Sequence, residues 1–227
     1  MIFDILKDGL EYVGTNRKQT ILYYIGILLF PLVLIESYSY HIIENCLNGM
    51  INNKDKLPDI TLNPETIING LKLLILKIIY YLPEIIIIIL SANLARIDYY
   101  TITILLLVLT FISYTLSQIA GVHMVAKREF REGFNFTEIF SILKTVGLTY
   151  AEFIIATFVI ILGIIGVSIL FTTIIMLFSG ISSIIFTILM LLIVLLYFIF
   201  LIVIIPVYAL FKNRAIVSIY NLKIMDE

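Results

Sequence analysis

Charge is what this chain lacks. Asp, Glu, Lys and Arg make up 14% of its 227 residues and hydrophobic residues 61%, where soluble domains carry about 25% charged and about 45–50% apolar residues. A soluble fold needs a charged surface over its core, and there are too few charges here to make one. The formal net charge of −1 provides no basic field, which excludes nucleic acid as a partner. Cys46 is the single cysteine, so an intramolecular disulfide and a cysteine-rich metal cluster are both ruled out. The first residues do not read as a secretory leader either. Asp4, Asp8 and Glu11 interrupt them, whereas a leader opens with a basic region and an apolar run.

Recognisable catalytic patterns are missing too. There is no His-Glu-x-x-His, no Gly-x-Ser-x-Gly, no phosphate-cradling glycine loop and no dinucleotide fingerprint. No catalytic residue, cofactor or metal site is therefore expected, and the chain is read as a non-enzyme. His41 and Glu44 share a helix face at i, i+3, which is too few ligands for a metal. His123 stands alone at the end of an apolar segment and is read as an interfacial hydrogen-bonding residue. Asn135-Phe-Thr137 matches a glycosylation acceptor, a weak three-residue pattern.

Long apolar runs are what the chain has. Ile102–Ile119, Phe153–Phe178 and Ile184–Pro206 contain no charged side chain. At about 1.5 Å per residue each crosses, or nearly crosses, a hydrocarbon core of about 30 Å. The fold class expected is all-α, a polytopic transmembrane helix bundle in the cell membrane, with residues 1–227 forming one integral membrane domain. Five spans are assigned, at about 20–37, 70–94, 101–126, 148–178 and 181–211. Residues 1–15 form an amphipathic segment, with Phe3, Leu6, Leu10 and Val13 at helical spacing, expected to lie in the interface. Residues 136–144 read as a second short surface helix, capped by Asn135 or Thr137. Span two is expected to break at Tyr81-Leu82-Pro83, Arg96 and Asp98 mark a short turn, and Ser179-Gly180 marks another.

Five spans put the termini on opposite sides. Lys54, Lys56, Lys127, Arg128, Arg131, Lys144, Lys212, Arg214 and Lys223 then share one side, and Lys7, Arg17, Lys18 and Arg96 the other. The positive-inside rule places the C-terminus in the cytoplasm and the N-terminus outside. A re-entrant hairpin bent at Pro31 or Pro83 would instead bring both termini inside.

Polar residues inside apolar helices carry the most information, because lipid-facing polar groups are costly. Projected at 100° per residue, span two gathers Asn69, Lys72, Lys77, Tyr80, Glu84 and Ser91 on one face. Span three has Thr103, Thr110, Tyr114, Ser117, Gln118 and Gly121, and span four has Thr149, Glu152, Ala156, Gly163, Gly166 and Thr173. Such stripes pack helices together, here spans two, three and four, or line a polar cavity. The candidate intramembrane residues are Lys72, Lys77, Glu84 and Glu152. Lys72 can snorkel and Glu152 can reach the interface, so both read as structural. Glu84 either caps the second half of a kinked helix beside Pro83 or serves as a functional carboxylate.

Three blocks carry a family resemblance. They are Leu6-Lys-Asp-Gly-Leu-Glu-Tyr12 with Asn16-Arg-Lys18, then Leu57-Pro-Asp59 with Asn69-Gly-Leu-Lys72 and Ile79-Tyr-Tyr-Leu-Pro83, and then Arg131-Glu-Gly-Phe-Asn-Phe-Thr-Glu-Ile-Phe140. In order and spacing the chain resembles the uncharacterised, mostly archaeal, multi-pass membrane proteins called domain of unknown function 4013. That resemblance implies an all-helical membrane protein and supplies no functional residues. The expected partners are the lipid bilayer and a protein, either another polypeptide or a second copy. The leading functional reading is a scaffold or subunit of a membrane complex that docks through Phe134–Lys144. The alternative is a small-solute permease or channel using the polar face of span two.

Overall fold

The computed structural model describes all residues except 30, 48, 50–54, 62, 94–98, 180–183 and 226–227, and every element among the described residues is helical. Eight α-helices follow one another: α1 (Ile2–Val13), α2 (Arg17–Leu29), α3 (Pro31–Cys46), α4 (Pro64–Tyr80), α5 (Leu82–Asn93), α6 (Tyr99–Lys127), α7 (Phe136–Ser179) and α8 (Ile184–Met225). A 3-10 turn at Phe130–Phe134 separates α6 from α7. The all-α expectation holds. The turns expected at Arg96–Asp98 and Ser179-Gly180 fall on or against positions outside the described residues.

Local signals set several boundaries. Asn63 caps α4 by accepting the Thr66 N–H at 2.7 Å, with Pro64 in the first turn. The expected break at Tyr81 is present, and α5 leaves α4 at 50°, because Pro83 offers no N–H to continue the ladder. The surface helix expected at 136–144 is not separate. No proline interrupts residues 136–179, so that segment and span four form one helix of 44 residues, about 66 Å long. The tail after span five is helical as well and completes α8.

Span one is not a single crossing. In one straight helix Tyr23 and Tyr38 would lie about 22 Å apart, yet their ring centroids are 4.8 Å apart. Leu34 likewise lies against Gly26. Helices α2 and α3 therefore fold back on each other, with Pro31 opening the second. Three described helices are long and apolar enough to cross a bilayer, or four if the bent pair α4–α5 counts as one. Five spans are expected, and the difference among the described residues is this hairpin, whose two helices are each shorter than a crossing.

The molecule divides by burial into a base and legs. Ile5, Tyr23, Ile42, Leu73, Leu76, Ile119, Ile139, Ile142, Leu210 and Ile219 form the base core. Beyond it, α5, the first half of α6, the second half of α7 and the first half of α8 expose Ile, Leu, Val and Phe on most sides. In the legs α7 and α8 run antiparallel, with Phe171 against Tyr197 and Phe200. The stripe expected to join span four to its neighbours is a contact face only at its start: Thr149 is buried, whereas Gly163 and Gly166 have nothing within 4 Å of where a Cβ would sit.

The base also corrects the orientation. Helix α1 packs on the C-terminal part of α8, where a Cβ on Gly9 would lie 2.9 Å from Phe211. Both ends of the chain therefore sit together. The buried face of α1 is Ile5, Asp8, Gly9, Tyr12 and Val13, while Phe3 and Leu10 remain exposed on the other side. The face that packs is therefore not the expected one through Phe3, Leu6 and Leu10, and it rests on protein.

Candidate functional site

The four candidate residues do not converge. Lys77 of α4 forms an ion pair with Glu36 of α3, a partner that sequence spacing could not suggest. The space beside this pair, lined by Leu73, Lys77, Ser117, Gln118, Gly121 and Asn213, is about 10 Å³, room for about one water. Lys72 donates to Asn69 at 3.2 Å, one turn away on its own helix. Glu152 is exposed on α7. Glu84 lies in the first turn of α5, next to Pro83, and is 5% exposed with neither carboxylate oxygen hydrogen-bonded among the described residues. Around its level lie tyrosines: Tyr114 and Tyr208 share a hydrogen bond of 3.0 Å, and Tyr150 donates to the Thr115 carbonyl at 2.6 Å. Phenols fit the boundary between apolar legs and polar base.

A buried ion network fastens the N-terminal helix. Arg214, 1% exposed, donates from Nε to Asp8 at 2.7 Å and from Nη1 to Asp55 at 3.0 Å. Its guanidinium lies 5.2 Å from the centre of the Tyr12 ring.

The second cluster sits where α6 ends and α7 begins. Arg128 follows α6 in the left-handed conformation, φ 57°, which terminates the helix. The chain then turns through Phe130–Phe134 and starts α7 behind Asn135, whose Oδ1 accepts the Glu138 N–H. This reversal brings Glu132 and Glu138 back to His123. The His123 ring is fully buried, and its Nε2 lies 3.6 Å from a Glu132 oxygen and 3.2 Å from a Glu138 oxygen. Its Nδ1 is 2.9 Å from the Tyr220 hydroxyl of α8. Asn135 donates its amide to both carboxylates, at 3.0 and 3.3 Å. That hydrogen bond is the main cause holding the Glu132 carboxyl below the usual carboxylate range. Lys127 lies 3.4 Å from Glu138. One imidazole and two carboxylates in this arrangement can hold either a proton or a cation.

The family model described as Protein of unknown function (DUF4013) matches residues 21–173. The chain belongs to this family. No curated protein and no solved structure matches the chain. The match in this DUF4013 protein includes Glu36, Lys77, Glu84, His123, Glu132 and Glu138, and leaves out α1 and all of α8.

Sequence reasoning missed the grouping of His123 with Glu132 and Glu138. The residues are 9 and 15 positions apart from the histidine, and no helical or strand period relates them. A usable signal was there: a short polar connection between two apolar helices must fold its side chains over the helix ends. Within the docking segment expected at Phe134–Lys144, Ile139 and Ile142 are fully buried and belong to the core, while Phe136 and Phe140 are about half exposed.

Proposed function

We propose that this DUF4013 protein is a non-enzymatic multi-pass subunit of a membrane complex, with its base and both termini on the cytoplasmic side. The carrying observation is the Lys77–Glu36 pair with space for about one water beside it. A transported solute needs a continuous polar path, and these charges are instead spent on each other within a packed base. Every described Lys and Arg lies in the base and none in the legs, which supports the cytoplasmic orientation. Partners would meet the apolar legs within the bilayer, where α5, α6, α7 and α8 expose most of their Ile, Leu, Val and Phe.

Glu84 supports a second reading, a permease, because a buried carboxylate without a partner often marks a pathway. Cysteine accessibility separates the two. With Cys46 replaced by Ser and Glu84→Cys introduced, a water-soluble thiol reagent in native membranes should leave position 84 unmodified, as it leaves the Leu105→Cys control. Rapid modification at 84 with an unmodified control would establish an aqueous cavity and replace the subunit reading by the permease.

A further inference from the structure

We propose that His123, Glu132 and Glu138 form a binding site for one divalent transition-metal cation, with Zn²⁺ as its natural probe. Nothing in this depends on whether the protein is a subunit or a permease.

The imidazole carries the case. His123 is fully buried, and its Nε2 makes no hydrogen bond among the described residues despite two carboxylates within reach. A simple imidazolium–carboxylate pair would place one oxygen on the N–H axis. Here the oxygens flank the nitrogen without meeting that condition. Tetrahedral ligands about 2.0–2.1 Å from zinc lie roughly 3.3 Å from one another. The observed separations of 3.6 and 3.2 Å from Nε2 bracket that value. The three ligand atoms all lie within 4.8 Å of one another, so a small rotation of either glutamate closes the set.

The surroundings fit the same chemistry. A metal-bound histidine usually donates its other ring N–H to a fixed acceptor, and the Tyr220 hydroxyl stands at Nδ1 for that purpose. Asn135 ties the two carboxylates together. One nitrogen and two carboxylate oxygens suit a cation of intermediate hardness. The glutamates are 24% and 39% exposed, so an ion can enter and a water can complete its shell. Two cations oppose it: Lys127 at 3.4 Å from Glu138 and Lys223, a positive neighbour of the ring. Helix capping alone accounts for Asn135 and Glu138, but not for a buried imidazole nitrogen aimed between two acids.

The test uses the full chain purified in detergent, stripped with chelator, then titrated with Zn²⁺ by calorimetry and followed by thermal melting. One Zn²⁺ per chain and a raised melting temperature are expected. Glu138→Gln, which keeps size and hydrogen bonding, and His123→Gln should each weaken binding by about tenfold or more. Lys127→Met should tighten it, although it deletes an ion pair; a merely structural cluster would not respond with that sign. Co²⁺ in place of Zn²⁺ should give a visible absorption band that Glu138→Gln abolishes. If His123→Gln does not fold, Glu138→Gln and Lys127→Met carry the test. No Zn²⁺ uptake by the folded wild-type chain, the imidazolium pair only, would overturn the proposal. So would uptake that Glu138→Gln leaves unchanged.

Discussion

Removing Asp8 should unlock the N-terminal helix, and the native cysteine will report it. Cys46 is 1% exposed and its Sγ lies 3.6 Å from the Tyr12 hydroxyl, so a thiol reagent reaches it only when α1 lifts. Burial also raises the thiol pKa, which keeps the closed form protonated and unreactive. Asp8 is the closer of the two carboxylates on the Arg214 guanidinium, at 2.7 against 3.0 Å. Breaking one side of a buried ion pair costs about 3–5 kcal/mol. Asp55 stays in place after Asp8→Ala, so the lower end applies, about 3 kcal/mol. At about 1.4 kcal/mol per tenfold, that raises the open population by roughly 100-fold.

Labelling with a small maleimide, in detergent and under conditions where closing is faster than labelling, should accelerate by that factor. The double variant Asp8→Ala/Arg214→Met should recover part of the loss, because the buried cation goes with its partner. An acceleration below about fivefold would refute the lock, since it corresponds to less than about 1 kcal/mol. Acceleration equal in the single and double variants would show that α1 is held by its apolar face and not by the charges.

The glycines offer two opposite outcomes from one substitution. At Gly70 a Cβ would lie 2.5 Å from the Ser37 Cα, so Gly70→Ala must push α3 from α4 and should destabilise by about 1–3 kcal/mol in a detergent melt. At Gly166 nothing lies within 4 Å, and Gly166→Ala should stabilise the monomer by about 0.5–1 kcal/mol through helix propensity. A melting temperature lowered by Gly166→Ala, with loss of cross-linked species, would instead place a partner helix at that position.

The features legible in the sequence were those set by near neighbours along the chain. The Tyr81 break follows from Pro83 two residues on, and the cap of α7 from Asn135 immediately before it. The apolar runs of α6, α7 and α8 needed only composition. The folding of α2 onto α3 was harder to read, because an apolar stretch of 18 residues reads as one crossing whether or not it turns back. The pairing of Tyr23 with Tyr38 and of Gly26 with Leu34 separates the two cases. Arg214 looked like an ordinary tail residue because its partner Asp8 is 206 positions away. Gly163 and Gly166 looked like contact residues because helix spacing marks a face without saying whether anything meets it.

The cost of burying charge explains why these readings failed together. A charged group in hydrocarbon needs a partner or water, and a leg helix exposed on most sides offers neither. Lys77, Arg214 and the acids around His123 are therefore tolerated only in the base, where several elements meet and can supply an opposite charge. Helical projection treats each span alone and assigns these residues to the span's own face. Their true environment is set in large part by α1, α3 and the 3-10 turn, none of which is a span, and for His123 also by Glu138 at the start of α7. Glu84 is the exception that tests the rule, since it sits at the edge of the base without a partner among the described residues. Either the carboxyl lies in a dry contact, or water reaches it, and cysteine accessibility at that position distinguishes the two.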